Sequence, residues 1–163
     1  MSGLVGKGKD VTSGFAGEFQ PGSVVRCHSV HDHDAASHIS TTSTSLVTMG
    51  ITVTSPAVEN GNYNIITFHP QGQLPASDHV AKIACFYSHN GGTYTNLVDG
   101  STHAPIESED AHMYSATFIW VDVGSTMTGG DNSYRMYMAT AGGTFYAVHS
   151  SFNYTLMVQE IKG

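Results

Sequence analysis

Histidine is the residue type whose number and spacing in this sequence most readily support chemistry. The chain has 163 residues and 10 histidines, and His28, His31, His33 and His38 lie close together. In a strand, His31 and His33 would project to the same face, where two imidazoles can share a metal ion. The spacing therefore predicts His31 and His33 as candidate metal ligands.

A catalytic metal centre needs a further ligand that this segment lacks. Enzymes of the cupin type combine a His-x-His pair with a following glutamate and a later histidine. No glutamate occurs between Phe19 and Glu59. The simpler interpretation is a polar loop whose histidines are exposed to solvent or gather around a symmetry axis. A cupin-like, metal-dependent enzyme remains the alternative from another functional class.

Other catalytic patterns are missing from the sequence. There is no Gly-x-Ser-x-Gly elbow that would present a nucleophilic serine. Cys85 lies in the most apolar predicted strand, and Cys27 and Cys85 are both expected to be small buried side chains. The acidic residues at 105–110 lack the Asp-x-Asp-x-Asp-Gly spacing of a calcium loop. We therefore expect no catalytic residue, no cofactor and no enzymatic activity.

Large amphipathic side chains cluster in the last predicted hairpins, on both faces of neighbouring strands. A sandwich sheet normally alternates apolar side chains inside with polar ones outside. Apolar residues on both faces indicate a covered outer face, either by a neighbouring subunit or by long loops of the same chain. The first interpretation predicts an obligate oligomer whose interface contains Tyr134, Met136, Tyr137, Met138, Phe145 and Tyr146.

Composition excludes several classes of protein. Six basic and 13 acidic residues give a net charge of −7, which lacks the basic surface that nucleic-acid binding requires. With 40% hydrophobic and 12% charged residues, the chain does not have the composition of a disordered protein. No apolar run approaches the roughly 20 residues of a membrane span, and the N-terminus lacks a signal-peptide core. We expect a soluble protein made inside the cell.

The elements that must position these residues are strands. A length of 163 residues favours a single domain. Short strands separated by Gly, Asn and Pro turns at roughly 8–12-residue spacing indicate an all-β protein. We predict a jelly-roll β-sandwich of about 8–10 antiparallel strands, with any helical turn confined to the acidic loop at 105–110. The predicted strands span 23–30, 39–49, 51–54, 63–69, 80–88, 94–98, 113–123, 134–140, 144–149 and 152–161.

The N-terminal residues 1–21 differ from this domain, which spans 22–163. They are rich in glycine, which raises the entropy of the unfolded chain and disfavours order without a partner. Scattered apolar and basic residues nevertheless indicate contact with another surface, although an ordinary frayed terminus is the alternative. We predict a flexible arm that orders against another surface through Val5, Lys7, Lys9, Phe15 and Phe19.

The order of these segments resembles a group of short, β-rich bacteriophage virion proteins found in marine and cyanobacterial phages. The likeness covers most of residues 20–163, whereas the histidine cluster and the acidic loop are not part of it. The matching pieces are Gln20-Pro-Gly-Ser-Val-Val25, Ser40-Thr-Thr-Ser-Thr-Ser45 leading to Gly50-Ile-Thr-Val-Thr54, Lys82-Ile-Ala84, Ser133-Tyr-Arg-Met-Tyr-Met138, and the ending Thr155-Leu-Met-Val-Gln-Glu-Ile-Lys-Gly163.

The resemblance implies a trimeric jelly roll, similar to the heads of tumour necrosis factor and C1q. Its implied function is a capsid decoration (cement) protein that binds the major capsid protein or another virion protein and stabilises a phage head. The arm at 1–21 would then be the part that anchors the protein to the capsid. The implied location is the virion, after synthesis in the cytoplasm of the bacterial host. The alternative is the receptor- or glycan-binding head of a tail or head fibre, with a host-surface glycan as partner.

Overall fold

A computed structural model describes residues 21–32, 38–74, 79–98, 104–108, 113–149 and 153–163. The predicted arm lies outside these ranges except for Pro21, so its anchoring residues Val5, Lys7, Lys9, Phe15 and Phe19 stay a prediction. Within the described ranges, no helix is long and apolar enough to cross a membrane.

Antiparallel strands form the molecule, as the sequence predicts, together with a short 3-10 helix at Met127–Gly129. Several strands are short pieces, so their number exceeds the predicted count. The strands are β1 Val24–Asp32, β2 Ile39–Thr41, β3 Val47–Ser55, β4 Tyr63–Gln73, β5 His79–His89, β6 Thr95–Asn96, β7 Ala104–Ser108, β8 Met113–Ser115, β9 Phe118–Asp122, β10 Asn132–Thr140, β11 Phe145–Val148 and β12 Tyr154–Ile161.

The strand order is that of a jelly roll. One sheet contains β1-β12-β4-β9, and the same β4 also pairs with β8 and β11 near its C-terminal end. The other sheet contains β3-β10-β5, with β6 and β7 both paired to β5. The first and last strands are thus neighbours, and β1, β3, β4 and β5 alternate between the two sheets, which is the arrangement of a jelly roll. The predicted fold class is confirmed.

The core lies between the sheets because the strands alternate apolar and polar residues with a period of two. In β10, Tyr134, Met136 and Met138 are buried, whereas Arg135 and Tyr137 between them are only half-buried. The central part of β5 is buried on both faces, as its sequence predicts, because Ala84 is covered as well as Ile83 and Cys85. The hydrophobic core also includes Ile66 and Phe68 of β4, Trp120 of β9, Phe145 of β11, and Leu156 and Val158 of β12.

Pro70 explains why two strand predictions are wrong. The sequence predicts that the fourth strand stops before Pro70, yet β4 continues to Gln73 because it changes partners there. Before Pro70, β4 pairs with β12 and β9, and after it with β8 and β11. The predicted strand at 113–123 is split into β8 and β9 opposite this point, because Pro70 has no N–H to donate.

Two further differences concern β3 and β7. The predicted strands at 39–49 and 51–54 are instead β2 and a long β3, which continues through Gly50. Gly50 has φ +75° and lies where the pairing of β3 with β10 shifts register, so it forms a bulge that most side chains would strain. The acidic segment expected to hold any helical turn contains β7, which pairs with the start of β5.

Candidate functional site

Four of the predicted interface residues lie inside the chain's own core. Tyr134, Met136 and Phe145 have no exposed surface, and Met138 is 3% exposed. A side chain without exposed surface has none to bury against a partner, so the interface prediction is wrong for these four. Tyr137 and Tyr146 are half-buried on outer faces, and for them the prediction stays open. Alternation along β10 and β11 separates the two groups.

The predicted metal ligands are only partly described. His31 is exposed near the end of β1, next to Asp32, whereas His33 lies outside the described residues. The described residues contain no group of three His, Cys, Asp or Glu side chains placed to hold a metal ion. The His31 and His33 pair therefore stays a prediction.

A buried polar network lies at one end of the sandwich, between β4, β5, β9 and β10. The Tyr134 hydroxyl donates to Asp122 Oδ2 (2.9 Å) and accepts a hydrogen bond from Asn64 Nδ2 (2.8 Å). The second hydrogen-bond partner of Asp122 Oδ2 is His89 Nε2 at 2.8 Å, and the backbone N–H of Gly124 donates to Asp122 Oδ1. Every oxygen of the buried carboxylate therefore has a donor, which offsets the cost of its burial.

The His89 ring connects this network to the loop after β9. Its Nδ1 lies 2.6 Å from the Thr126 hydroxyl, while its Nε2 faces Asp122. These contacts place Thr, His and Asp side chains in one chain of hydrogen bonds, as in a nucleophile triad. Because both ring nitrogens have hydrogen-bond partners and the side chain is 6% exposed, neither nitrogen is open to a metal ion. The arrangement holds the loop in place.

Burial also controls the acidity of two groups in this region. Burial, and then the negative charge of Asp122, raise the pKa of the Tyr134 hydroxyl far above its usual value. The same two causes, in the same order, raise the pKa of the Cys85 thiol. Cys85 is fully buried, as the sequence predicts, whereas Cys27 is exposed on β1, contrary to that prediction. The Tyr134 hydroxyl and the Cys85 thiol are therefore neutral at physiological pH, and neither is activated as a nucleophile.

A second buried carboxylate, at the same end of the sandwich, joins the first and last strands, β1 and β12. Glu160 of β12 accepts hydrogen bonds from the Arg26 guanidinium of β1, the Asn62 side chain (2.7 Å) and the Glu59 backbone N–H (3.0 Å). Burial raises the pKa of Glu160, but these hydrogen bonds together outweigh burial and leave the pKa below its usual value. Arg26 also donates to the Ala57 carbonyl, so the cluster ties β1, β12 and the β3–β4 loop together.

An open polar cleft lies above the His89 network, between the loops at 89–92 and 129–131. Its volume is about 620 Å³, and it is lined by Thr54, Asn90, Gly91, Gly129, Gly130, Asp131 and Ser133. Asn90 has φ +54°, and its backbone N–H donates to the Asp131 carbonyl (2.9 Å). Its side chain packs so closely on Gly129 and Gly130 that a methyl group at either position would collide with it.

Aromatic and cationic side chains continue from this cleft along the outer face of β10. The Arg135 guanidinium lies 4.0 Å from the centre of the Tyr94 ring, and its Nε donates to the Thr52 hydroxyl (3.1 Å). Next to it, the Phe86 and Tyr137 rings lie 4.1 Å apart. Cleft and face together offer hydroxyl, amide, carboxylate and guanidinium groups beside aromatic rings, which is chemistry suited to a polar ligand such as a sugar.

The chain shares its fold with part of a viral particle protein. A chain of the T13 particle of infectious bursal disease virus matches with a TM-score of 0.50 and 13% identity, over 86% of this chain and 37% of that chain. The chain thus spans less than two fifths of that viral protein. The Eiger tumour necrosis factor of S. frugiperda has a TM-score of 0.39 at 11% identity, over 83% of this chain and 87% of that one.

A carbohydrate-binding module solved with beta-1,4-galactotriose also matches, with a TM-score of 0.30, 11% identity, and coverage of 87% of this chain and 92% of the module. No protein-family model and no protein of curated function matches the sequence. At 13% identity, the match to the viral particle protein shows a shared fold alone, which is an all-β sandwich.

Sequence reasoning missed the residues that form the network and the cleft. The turns containing Asn90 and Asp131 were predictable from their glycines, but nothing in the sequence pairs these two turns. The usable signal was Asp122, a carboxylate that alternates in phase with the apolar Trp120 and Phe118 of one strand. An acidic residue on the inner face of a strand indicates a buried partner, although it does not identify His89 or Tyr134.

Proposed function

We propose that the chain is a non-enzymatic structural protein of a virus particle. In this proposal it assembles as a homotrimer, decorates the head of a bacteriophage and stabilises it by binding the major capsid protein. The observation that carries the proposal is the jelly-roll topology, which this chain shares with a segment of a viral particle protein. The resemblance of residues 20–163 to phage virion proteins supports the same function.

The arrangement of polar groups supports a structural role over a catalytic one. The buried carboxylates of Asp122 and Glu160 are each surrounded by donors from several elements, so they stabilise the packing of loops and chain ends. A protein that reinforces a shell needs a rigid body more than a reactive group. We place the arm, residues 1–21, on the shell and the sandwich on the outside of it.

Labelling of purified virus particles tests the proposed function. An antibody raised against the chain is expected to label intact heads in electron micrographs, and the absence of the chain from purified particles would overturn the proposal. A second arm compares the full chain with a version that begins at Pro21, using particles depleted of the endogenous protein. Equal binding of both versions would contradict the role of the arm and leave the virion location intact.

The polar cleft favours a second candidate function, the binding of a glycan on a host surface. Thr54, Asn90 and Asp131 place a hydroxyl, an amide and a carboxylate around one opening beside the Arg135 and Tyr94 pair. Neutral sugars are recognised by such groups together with an aromatic ring. If the cleft binds glycans, a glycan array probed with the full chain is expected to give specific signals.

A matched pair of variants assigns such signals to the cleft. Asp131→Ala removes a carboxylate that lines the cleft, and Glu59→Ala removes an exposed carboxylate from another loop. We expect Asp131→Ala alone to lower the affinity for the bound glycan by about tenfold, the value of one polar contact. An array without specific signals, or equal binding by both variants, would remove this candidate.

A further inference from the structure

The outer face of the sheet β1-β12-β4-β9 carries no formally charged side chain. Its residues stand in three rows that the strand register defines, two of them across all four strands and one across β1, β12 and β4. Aspartate, glutamate, lysine and arginine are missing from every row, because the charged residues of the same strands (Arg26, Asp32, Asp122 and Glu160) alternate to the inner face. The rows are His31, Thr155 and His69; Ser29, Met157, Thr67 and Ile119; and Cys27, Gln159, Ile65 and Val121.

Large aliphatic side chains are exposed at the β9 side of this face. Ile119 is 64% exposed, Val121 is 52% exposed, and Val123 just beyond the strand is 74% exposed. In the described part of the chain, β4 is the one strand that pairs with β9. Soluble proteins usually protect such an edge with lysine, proline or a bulge, and β9 contains neither lysine nor proline. The pattern is that of a surface covered by a partner.

Net charge favours a second copy of the chain as the partner on this face. The protein has a net charge of −7, so copies repel each other wherever acidic surfaces approach. The uncharged face is where two copies can meet without placing like charges together. A basic partner would instead prefer acidic surface. The opposite sheet differs, because its outer face carries Lys82 and Arg135.

We propose that this uncharged face, with the exposed Ile119 and Val121 at its β9 edge, is the contact between copies of the chain. The inference rests on the self-association contained in the proposed function, and it does not depend on the location in a virion. It moves the interface from the predicted residues of β10 to the opposite sheet.

Sedimentation equilibrium of the full chain and its variants tests the proposal. Val121→Glu places a negative charge among the exposed aliphatic side chains at the β9 edge of the face, and its exposed position leaves the core unchanged. We expect its dissociation constant for self-association to rise by about 100-fold or more. Val121→Thr, which is nearly the same shape and uncharged, is expected to raise it about tenfold. Thr44→Glu adds the same charge at an exposed loop position outside the face and is expected to change nothing.

Cys27 gives an independent readout, because it lies in the same row as Val121. We expect a thiol reagent to modify Cys27 faster in Val121→Glu than in the wild-type oligomer, while Cys85 stays unreactive in both. A wild-type protein that sediments as a monomer would overturn both the face and the proposed homotrimer. A wild-type oligomer that Val121→Glu leaves intact would overturn the face alone. Far-ultraviolet circular dichroism and thermal unfolding check that each variant is folded.

Discussion

At the residue scale, the hydroxyl of Tyr134 stabilises the fold through two hydrogen bonds in the core. It donates to Asp122 and accepts from Asn64, and neither partner is exposed enough for water to replace it. We expect Tyr134→Phe to lower the free energy of unfolding by about 1–3 kcal/mol, because the buried Asn64 amide loses its oxygen acceptor and Asp122 loses one of its donors. Urea denaturation at neutral pH measures this change.

Tyr137→Phe is the matched control for Tyr134→Phe. Tyr137 lies three residues along the same strand, but its ring is half-buried on the outer face against Phe86. Removing its hydroxyl is expected to change the free energy of unfolding by less than about 0.5 kcal/mol. Equal effects of the two substitutions would show that the buried network adds nothing to stability.

Glu160 predicts how stability depends on pH. Its pKa in the folded protein is below the ordinary value of 4.5, despite its burial, because Arg26, Asn62 and the Glu59 N–H donate to it. A group whose pKa is lowered by folding stabilises the protein above its unfolded pKa. That stabilisation is lost as the pH falls through the folded pKa. We expect Glu160→Gln to cost about 1–3 kcal/mol at pH 7 and to cost progressively less below about pH 4.5.

Denaturation curves of wild type and Glu160→Gln at several pH values give this difference directly. Glu59→Gln serves as the control, because its exposed side chain is expected to leave the stability unchanged at every pH. A cost of Glu160→Gln that is the same at pH 3 and pH 7 would contradict the assignment of this stabilisation to the charge.

At the scale of elements, the close approach of β4 and β11 depends on a glycine. A methyl group at Gly72 would overlap the carbonyl oxygens of Tyr146 and Ala147 on β11. Backbone atoms of a sheet cannot move away as a flexible side chain can, so we expect Gly72→Ala to cost roughly 3 kcal/mol or to prevent folding. Thr95→Ala, at an exposed position of the short strand β6, is expected to cost less than about 1 kcal/mol. Thermal unfolding distinguishes the two variants.

The same element shows what the sequence predicts and what it cannot. Alternation and turn residues identify the strands around β4, because a two-residue period and glycine-rich turns are local properties. Pro70 was interpreted as the end of a strand, because a proline removes one donor from a ladder. Whether that donor is missed depends on the partner strand, and here β4 changes partners at Pro70. Pairing across the sheet is not encoded by nearby residues.

The site was less predictable than the fold, for a related reason. His89 and Asp122 are separated by 33 residues and belong to different sheets, so their contact follows from topology alone. The Tyr134 region was correctly recognised as rich in large side chains. Its interpretation as an interface was wrong for Tyr134, Met136, Met138 and Phe145, because composition does not distinguish the inner from the outer face until the register is known.

At the scale of the whole molecule, the two outer faces of the sandwich have different chemistry. The face of β3-β10-β5 carries Lys82 and Arg135, and the polar cleft opens at its end. The face of β1-β12-β4-β9 is uncharged and exposes aliphatic side chains. In our proposals, self-association uses the uncharged sheet, and the other sheet is left for a polar ligand or a shell. A decorating oligomer needs both kinds of surface.

The charge of the whole chain then predicts how salt affects assembly. Each copy carries a net charge of −7, while the proposed contact face carries none, so charge acts on assembly only through repulsion between the bodies. The screening length falls from about 30 Å at 0.01 M salt to about 10 Å at 0.1 M salt. We expect self-association to become roughly tenfold tighter over this range, as measured by sedimentation equilibrium. Val121→Glu adds like charges at the contact and is expected to show a steeper dependence. Association that weakens as salt is added would reveal ion pairs across the contact and contradict an uncharged interface.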